Sequence, residues 1–129
     1  MNMGEFIDSV RKDPWANFLG VKIEKVEKGY ACCSVVVREE MLNFLGAVHG
    51  ALIFSLADVA FSAAANSDYS PSLALDVSGS FLKGAVVGDK LTAEARMLNT
   101  TKRTGLYRMD VSKNGELIAT FNGTVFRKV

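Results

Sequence analysis

The fold is decided by one apolar stretch, residues 49–66, with the sequence HGALIFSLADVAFSAAAN. Apolar side chains occupy nearly the whole circumference of this predicted helix, so it must be enclosed by protein. The helix is too short, and too often interrupted by polar residues, to span a bilayer. Asp58 stands in its middle. Because burying a carboxylate is costly unless the group is paired or used, Asp58 indicates a site.

Strand-like segments lie on both sides of this helix, two before it and four after it. They are residues 18–26, 30–38, 72–82, 89–100, 104–113 and 116–127. Asn114-Gly115 is typical of a tight hairpin turn between the last two. A short amphipathic helix is predicted over Gly4 to Lys12, ending at Asp13-Pro14. Strands that surround one helix without alternating with it predict an α+β fold, in which a curved antiparallel sheet wraps around the helix. This is a hotdog fold, expected as one domain over residues 1–129.

Composition excludes several classes of function. The chain has 129 residues, of which 49% are hydrophobic and 22% charged, and a formal net charge of +1. Such a balance provides no basic field for nucleic acid. Glu5 and Asp8 near the start argue against a signal peptide, so we expect a cytoplasmic protein with no membrane partner. Without a metal cluster, a P-loop or a dinucleotide glycine motif, no cofactor is expected.

The two cysteines, Cys32 and Cys33, are adjacent in a strand-like segment. Neighbouring side chains on a strand point to opposite faces, so the two thiols should diverge. Their spacing suits neither a zinc site nor a redox dithiol. We expect reduced, structural thiols, consistent with a reducing compartment.

The polar residues of the central helix form a stripe. Ser55, Asp58, Ser62 and Asn66 recur at steps of three, four and four, which places them on one narrow face. That face must meet solvent, a partner subunit or a ligand. On the helix alone, two roles for Asp58 stay open: chemistry, or a hydrogen bond to a neighbouring subunit or a backbone amide.

The predicted start of the helix, near His49-Gly50, adds a second feature. A helix N-terminus presents unpaired amides and a partial positive charge, which suit a carbonyl or an anion. Gly50 has no side chain to block a close approach, and Asn43 lies in the preceding loop, where functional polar groups are common. Singly, Asn43 is explained as a turn former, His49 as a cap and Gly50 by packing. Together they indicate an electrophilic pocket beside an acid.

The spacing of Gly50 and Asp58 predicts a shared site. Eight residues of helix span about 12 Å, so one reacting carbonyl cannot contact both positions of one chain. If both act on the same atom, Asp58 comes from a second copy whose helix runs antiparallel about a two-fold axis. The active form would then be a homodimer.

Residues 43–58, NFLGAVHGALIFSLAD, closely resemble the signature of hotdog-fold acyl-CoA thioesterases of the phenylacetate-degradation (PaaI) type. That signature is N-x-x-G-x-x-H-G-G, followed seven residues later by Asp. The resemblance covers nearly the whole chain. Its other matching segments are Ala63–Ser67, Ala74–Lys83, Gly88–Leu91 and Arg103–Gly105.

This resemblance implies hydrolysis of an acyl-CoA thioester to the free acid and CoA. By position, Gly50 would offer its backbone amide to the thioester oxygen, and Asp58 of the opposite subunit would act as general base or nucleophile. His49 and Asn43 would help to position the thioester and the attacking water. Similar enzymes assemble as dimers that pair into tetramers. The acyl group stays open between phenylacetyl, hydroxylated aromatic and medium-chain groups.

The chain departs from the family pattern at two positions. Ala51 replaces the second glycine of H-G-G, and its methyl group would narrow the acyl entrance. Ala74 aligns with a strand position that often carries Ser or Thr, so water positioning would rely on Ser62 or Asn66.

Basic residues are expected to bind the phosphates of CoA. Lys102, Arg103 and Arg108 are the candidates, although a solvated strand face explains all three equally well.

Other functions remain compatible with the same fold, since fold does not determine function. Hydratases and dehydratases pair a catalytic histidine with an acid in motifs that this chain lacks. A non-catalytic acyl-CoA-binding module would use the same pocket without turnover. An acyl carrier protein is an alternative donor to CoA.

Overall fold

A computed structural model describes residues 1–128, and within them it contains three α-helices, one short 3₁₀ turn and six strands. The elements are α1 (Met3–Val10), α2 (Pro14–Leu19), β1 (Lys22–Glu27), β2 (Tyr30–Val36), the 3₁₀ turn (Glu39–Met41), α3 (Gly50–Ala65), β3 (Ser72–Phe81), β4 (Lys90–Thr100), β5 (Thr104–Lys113) and β6 (Glu116–Arg127).

The strands form one antiparallel sheet in the order β1-β2-β4-β5-β6-β3. Helix α3 contacts all six of them, so the sheet curves around the helix. The predicted α+β hotdog fold is confirmed, and the predicted central helix matches α3. None of the helices within residues 1–128 has the length and apolar character needed to cross a membrane.

Small residues on the concave face let α3 approach the sheet closely. Ala31, Ala93 and Ala95 are fully buried beneath it. At Gly123, a Cβ atom would lie 2.7 Å from the ring of Phe61, which is itself buried on α3. A glycine is therefore required where the Phe61 ring meets the sheet.

The prediction that the first helix region ends at Asp13-Pro14 was incomplete. Helix α1 does end just before this pair, but the pair also begins α2. The Asp13 carboxylate accepts a hydrogen bond from the Ala16 amide at 3.1 Å, and Pro14 occupies the first helical position. Proline suits that position because its missing N–H has no helical partner there. Phe18, expected to open the first strand, lies within α2 instead.

Strand β3 forms an apolar edge of the sheet. It pairs with β6 on one side, and within residues 1–128 no strand covers its other side. Leu73 and Leu75 are 64% and 60% exposed, and Phe81 at its end is 54% exposed. An uncovered apolar edge strand is a ready surface for pairing with another chain.

The two thiols diverge as predicted. Cys33 is buried against the helix, Cys32 is half-buried on the other face, and both are free. Burial raises the pKa of both thiols, that of Cys33 to about 12, so neither is an activated nucleophile.

Candidate functional site

The first turn of α3 leaves one backbone donor unused. His49 is the N-cap residue, and its Nδ1 accepts a hydrogen bond from the Ala51 amide at 3.1 Å. The His49 carbonyl accepts from the amides of Leu52 and Ile53. Among residues 1–128, no acceptor faces the Gly50 N–H. The helix therefore presents a free amide at its partially positive end.

Asn43 shapes the loop that leads into α3. Its Oδ1 accepts hydrogen bonds from the amides of Leu45 and Ala47, at 2.9 and 3.1 Å. The loop also contains Gly46 in a left-handed conformation, with φ of 82°. These bonds give Asn43 the turn-forming role that the sequence offered as one explanation. Its Nδ2 makes no hydrogen bond within residues 1–128, so this group remains available for a ligand.

Aromatic rings border Gly50 on the side of the sheet edge. A Cβ atom at Gly50 would lie 3.4 Å from the ring of Phe81, which packs edge-on against Phe121. Phe54 packs edge-on against the same ring from α3. Phe61, in contrast, belongs to the core.

Asp58 has no partner in its own chain. The side chain is half-buried on the polar face of α3, and within residues 1–128 it makes neither a hydrogen bond nor an ion pair. Burial raises the pKa of its carboxyl group, and the negative charge of Asp13 raises this pKa further. A hydrogen bond to a backbone amide of the same chain is thereby ruled out as the explanation of Asp58. Solvent, a ligand or a partner subunit remains.

Ser62 and Asn66 are the two other residues of the polar face that were predicted to bind substrate. The polar atoms of the Asn66 side chain already have hydrogen-bond partners within the chain. The Asn66 Oδ1 accepts from the Ser72 amide at 2.8 Å, and its Nδ2 donates to the carbonyls of Ser62 and Ser72. Asn66 thus ties the end of α3 to the start of β3, and we assign it a structural role. The Ser62 side chain is exposed, and its hydroxyl is unbonded within the described residues.

Lys102 and Arg103 lie far from Gly50 of the same chain. They occupy the exposed turn between β4 and β5, where the Arg103 carbonyl accepts from the Arg127 amide at 2.7 Å. Arg127 pairs with Ser72, beside the end of α3, whereas Gly50 adjoins Phe81 at the opposite end of β3. Sixteen residues of helix separate these ends by about 24 Å. One chain therefore does not bring the two groups together.

Arg108 belongs to the outer face of the sheet. Its Nε lies 3.0 Å from the Asp110 carboxylate, and the two side chains are 51% and 40% exposed. The solvated strand face accounts for this residue.

Two residues beside the site escaped prediction from sequence, Asp13 and Trp15. Both belong to the start of α2, and Trp15 lines a cavity together with His49. The Asp13-Pro14 pair was a usable signal, because it fits an N-cap followed by the first helical position as well as it fits a helix end.

Comparison with known proteins finds a matching family and relatives of similar sequence and structure. A family model described as "Thioesterase superfamily" matches residues 45–119. A protein of Archaeoglobus fulgidus is 41% identical over 118 residues, which are 91% of this chain and 77% of that protein. The acyl-coenzyme A thioesterase PaaI of Escherichia coli K12 is 35% identical over 116 residues, 89% of this chain and 83% of PaaI. The solved structure of the E. coli PaaI protein has a TM-score of 0.92 and 30% identity, covering 99% of this chain and 97% of that one.

Proposed function

Because the chain belongs to the thioesterase superfamily, we propose that it is an acyl-CoA thioesterase, which hydrolyses an aromatic or medium-chain acyl-CoA to the free acid and CoA. One observation carries this proposal: the Asp58 carboxylate is half-buried on an apolar helix and has no partner within residues 1–128. A half-buried carboxylate without a partner lowers the stability of the fold, so a catalytic role explains its presence best.

The proposed reaction needs only a base and a hydrogen-bond donor. Asp58 takes a proton from water as the water oxygen attacks the thioester carbonyl, or the carboxylate attacks the carbonyl itself. The free Gly50 N–H donates to the oxygen on which negative charge develops. The carbon–sulfur bond then breaks, and CoA leaves as a thiolate that takes up a proton. Where the carboxylate itself has attacked, the product is a mixed anhydride on Asp58, which water then hydrolyses to the free acid and the regenerated carboxylate. Because a thiolate leaves readily, no strong acid is needed for this step.

His49 and Asn43 are proposed to position the thioester and the water. With Nδ1 accepting from Ala51, a neutral His49 carries its proton on Nε2, and its exposed ring holds that N–H in a defined direction. The Asn43 Nδ2 supplies another donor beside the start of the helix. Ser62, one turn beyond Asp58 on α3, is proposed to bind substrate.

The proposed site is shared across a homodimer. Gly50 and Asp58 of one chain are about 12 Å apart along the helix, and antiparallel helices would bring Asp58 of one subunit to Gly50 of the other. The uncovered apolar edge of β3 supports such pairing. The same two-fold would carry Lys102 and Arg103 of one subunit toward the helix start of the other, where they would bind the CoA phosphates. Two dimers are proposed to form a homotetramer.

We also propose which molecule carries the acyl group and in which cellular compartment the protein acts. We propose CoA as the acyl carrier, in line with the E. coli relative. Free, unactivated thiols at Cys32 and Cys33 suit a reducing compartment, and we propose the cytoplasm.

The test is thiol release from a panel of aromatic and aliphatic acyl-CoAs. Asp58→Asn should stay folded and lose most of the turnover, because an amide cannot act as a base. Asp8→Asn, which changes an exposed carboxylate on α1, is the matched control and should retain the wild-type rate. Equal rates in wild type and Asp58→Asn would overturn the proposed role of Asp58. Saturable binding of acyl-CoA without turnover in any of these proteins would favour a non-catalytic binding module.

A further inference from the structure

A cavity beside the start of α3 has no role in the chemistry described above. It measures about 190 Å³ and lies between α2, the 3₁₀ turn and α3. Its walls include Trp15, Leu19, Met41, His49, Leu52 and the acidic Glu40. Most of this lining is apolar, which suits a hydrocarbon group.

The cavity adjoins the free amide. His49 and Ala51, the two chain neighbours of Gly50, both line it. A thioester whose carbonyl oxygen accepts from the Gly50 N–H would therefore have this cavity within reach of its acyl group. We infer that the cavity binds the acyl group of the substrate and that Trp15 sets the largest group it accepts; this inference rests on the proposed thioesterase function.

The volume is sufficient for a compact acyl group. An apolar cavity of ~150 Å³ holds one benzene ring. A cavity of about 190 Å³ therefore has room for a single aromatic ring or a short branched chain, and because it opens to solvent its volume alone sets no upper limit on chain length. Ala51 narrows the same space by one methyl group, in line with its predicted effect on the acyl entrance.

Trp15 forms one wall of the cavity, and 52% of this residue is exposed. Helix α2 begins with the Asp13 cap and Pro14, and the Trp15 ring stacks on Phe18 at a centroid distance of 5.7 Å and an interplanar angle of 20°. Trp15 is also the single tryptophan of the chain. Its fluorescence therefore reports directly on this cavity.

The first experiment measures kcat/KM for a series of straight-chain acyl-CoAs and for phenylacetyl-CoA. Trp15→Ala should raise the preference for decanoyl-CoA over phenylacetyl-CoA by about tenfold, mainly through KM, since each methylene that fits or fails to fit changes specificity by about that factor. Trp15→Phe should change it less. Leu98→Ala, which shortens an exposed apolar side chain of β4 that does not line the cavity, should keep the wild-type order of substrates.

The second experiment separates this inference from the proposed function. Phenylacetyl-CoA added to the Asp58→Asn protein should change Trp15 emission saturably, whereas free CoA should not. Asp58-dependent hydrolysis with unchanged emission, and with an unchanged substrate order in Trp15→Ala, would overturn the inference and leave the proposed function standing. A saturable emission change without hydrolysis by wild type would support the cavity and overturn the proposed function.

Discussion

Asp13 and Asp58 interact through their charges across the boundary between α2 and α3. Burial raises the pKa of the Asp58 carboxyl group, and the negative charge of Asp13 raises it further. The residue that caps α2 thus also acts on the proposed base.

Asp13→Asn should move the acidic limb of the pH–rate profile to lower pH. Asparagine caps a helix as well as aspartate does, so α2 should persist while the charge is lost. The pKa of Asp58 then falls, and the base stays ionised to lower pH. The profile of kcat/KM against pH measures this shift. Asp8→Asn should leave the limb unchanged, and an equal shift in both variants would indicate an effect of net charge alone.

Asp58→Asn should stabilise the protein near neutral pH. The pKa of Asp58 is raised in the folded state, so wild type loses stability as pH rises from the unfolded value of about 3.9 through the folded value. Asparagine does not ionise, so the variant does not lose this stability as the pH rises. The melting temperature of the variant should exceed that of wild type at pH 7, and the difference should disappear at pH 3. A constant difference across this range would contradict the assignment.

Gly50→Pro should keep the fold and lose activity. Gly50 is the first residue of α3, where proline is favoured, and the extended conformation of His49, with ψ of 132°, suits a following proline. The substitution removes the free N–H and should lower kcat by about 10²–10³-fold. Gly50→Ala keeps the N–H and places a methyl group 3.4 Å from Phe81, so it should retain most of the activity. Equal losses in the two variants would point to a steric cause.

Mixing inactive chains should restore part of the activity. A dimer of one Asp58→Ala chain and one Gly50→Pro chain contains one intact site out of two. Random exchange makes half of the dimers mixed, so about one quarter of the wild-type activity should return. Mass spectrometry verifies the exchange. Verified exchange without recovery would argue against a shared site.

Gly123→Ala should destabilise the core by about 1–3 kcal/mol. The new Cβ atom would meet the Phe61 ring at 2.7 Å, and both sides of this contact are enclosed. Urea unfolding measures the loss. Gly84→Ala is the matched control: no atom lies within 4 Å of its Cβ position, so its stability should match that of wild type.

Much of the fold was predictable because the decisive signals are local. The apolar run from Gly50 to Ala65 and the turn at Asn114-Gly115 each specify one structure. Asp13-Pro14 does not, because the same pair ends one helix and begins another. The bounds of α2 follow from its own caps, the Asp13 carboxylate at its start and Gly20, with φ of 79°, at its end, and the pair alone does not show which helix it serves.

The site was predictable in its residue types and less so in its contacts. The spacing of Asn43, Gly50 and Asp58 identified polar groups around one helix. It did not separate Asn66 from Ser62, because the bonds of Asn66 reach Ser72 across a connection that only the folded chain defines. Trp15 was missed for a similar reason: its importance comes from a cavity between two helices.

The strand order has a consequence for how the protein is made. Strand β3 is synthesised before β4, β5 and β6, yet its hydrogen-bonded neighbour in the sheet is β6, the last of the six strands within residues 1–128. On the ribosome, β3 therefore stays unpaired, with its apolar side chains uncovered, until residues 116–127 have emerged. The sheet is completed only after β6 has been translated, and a nascent chain that stops within β5 would leave this apolar edge strand without a neighbour.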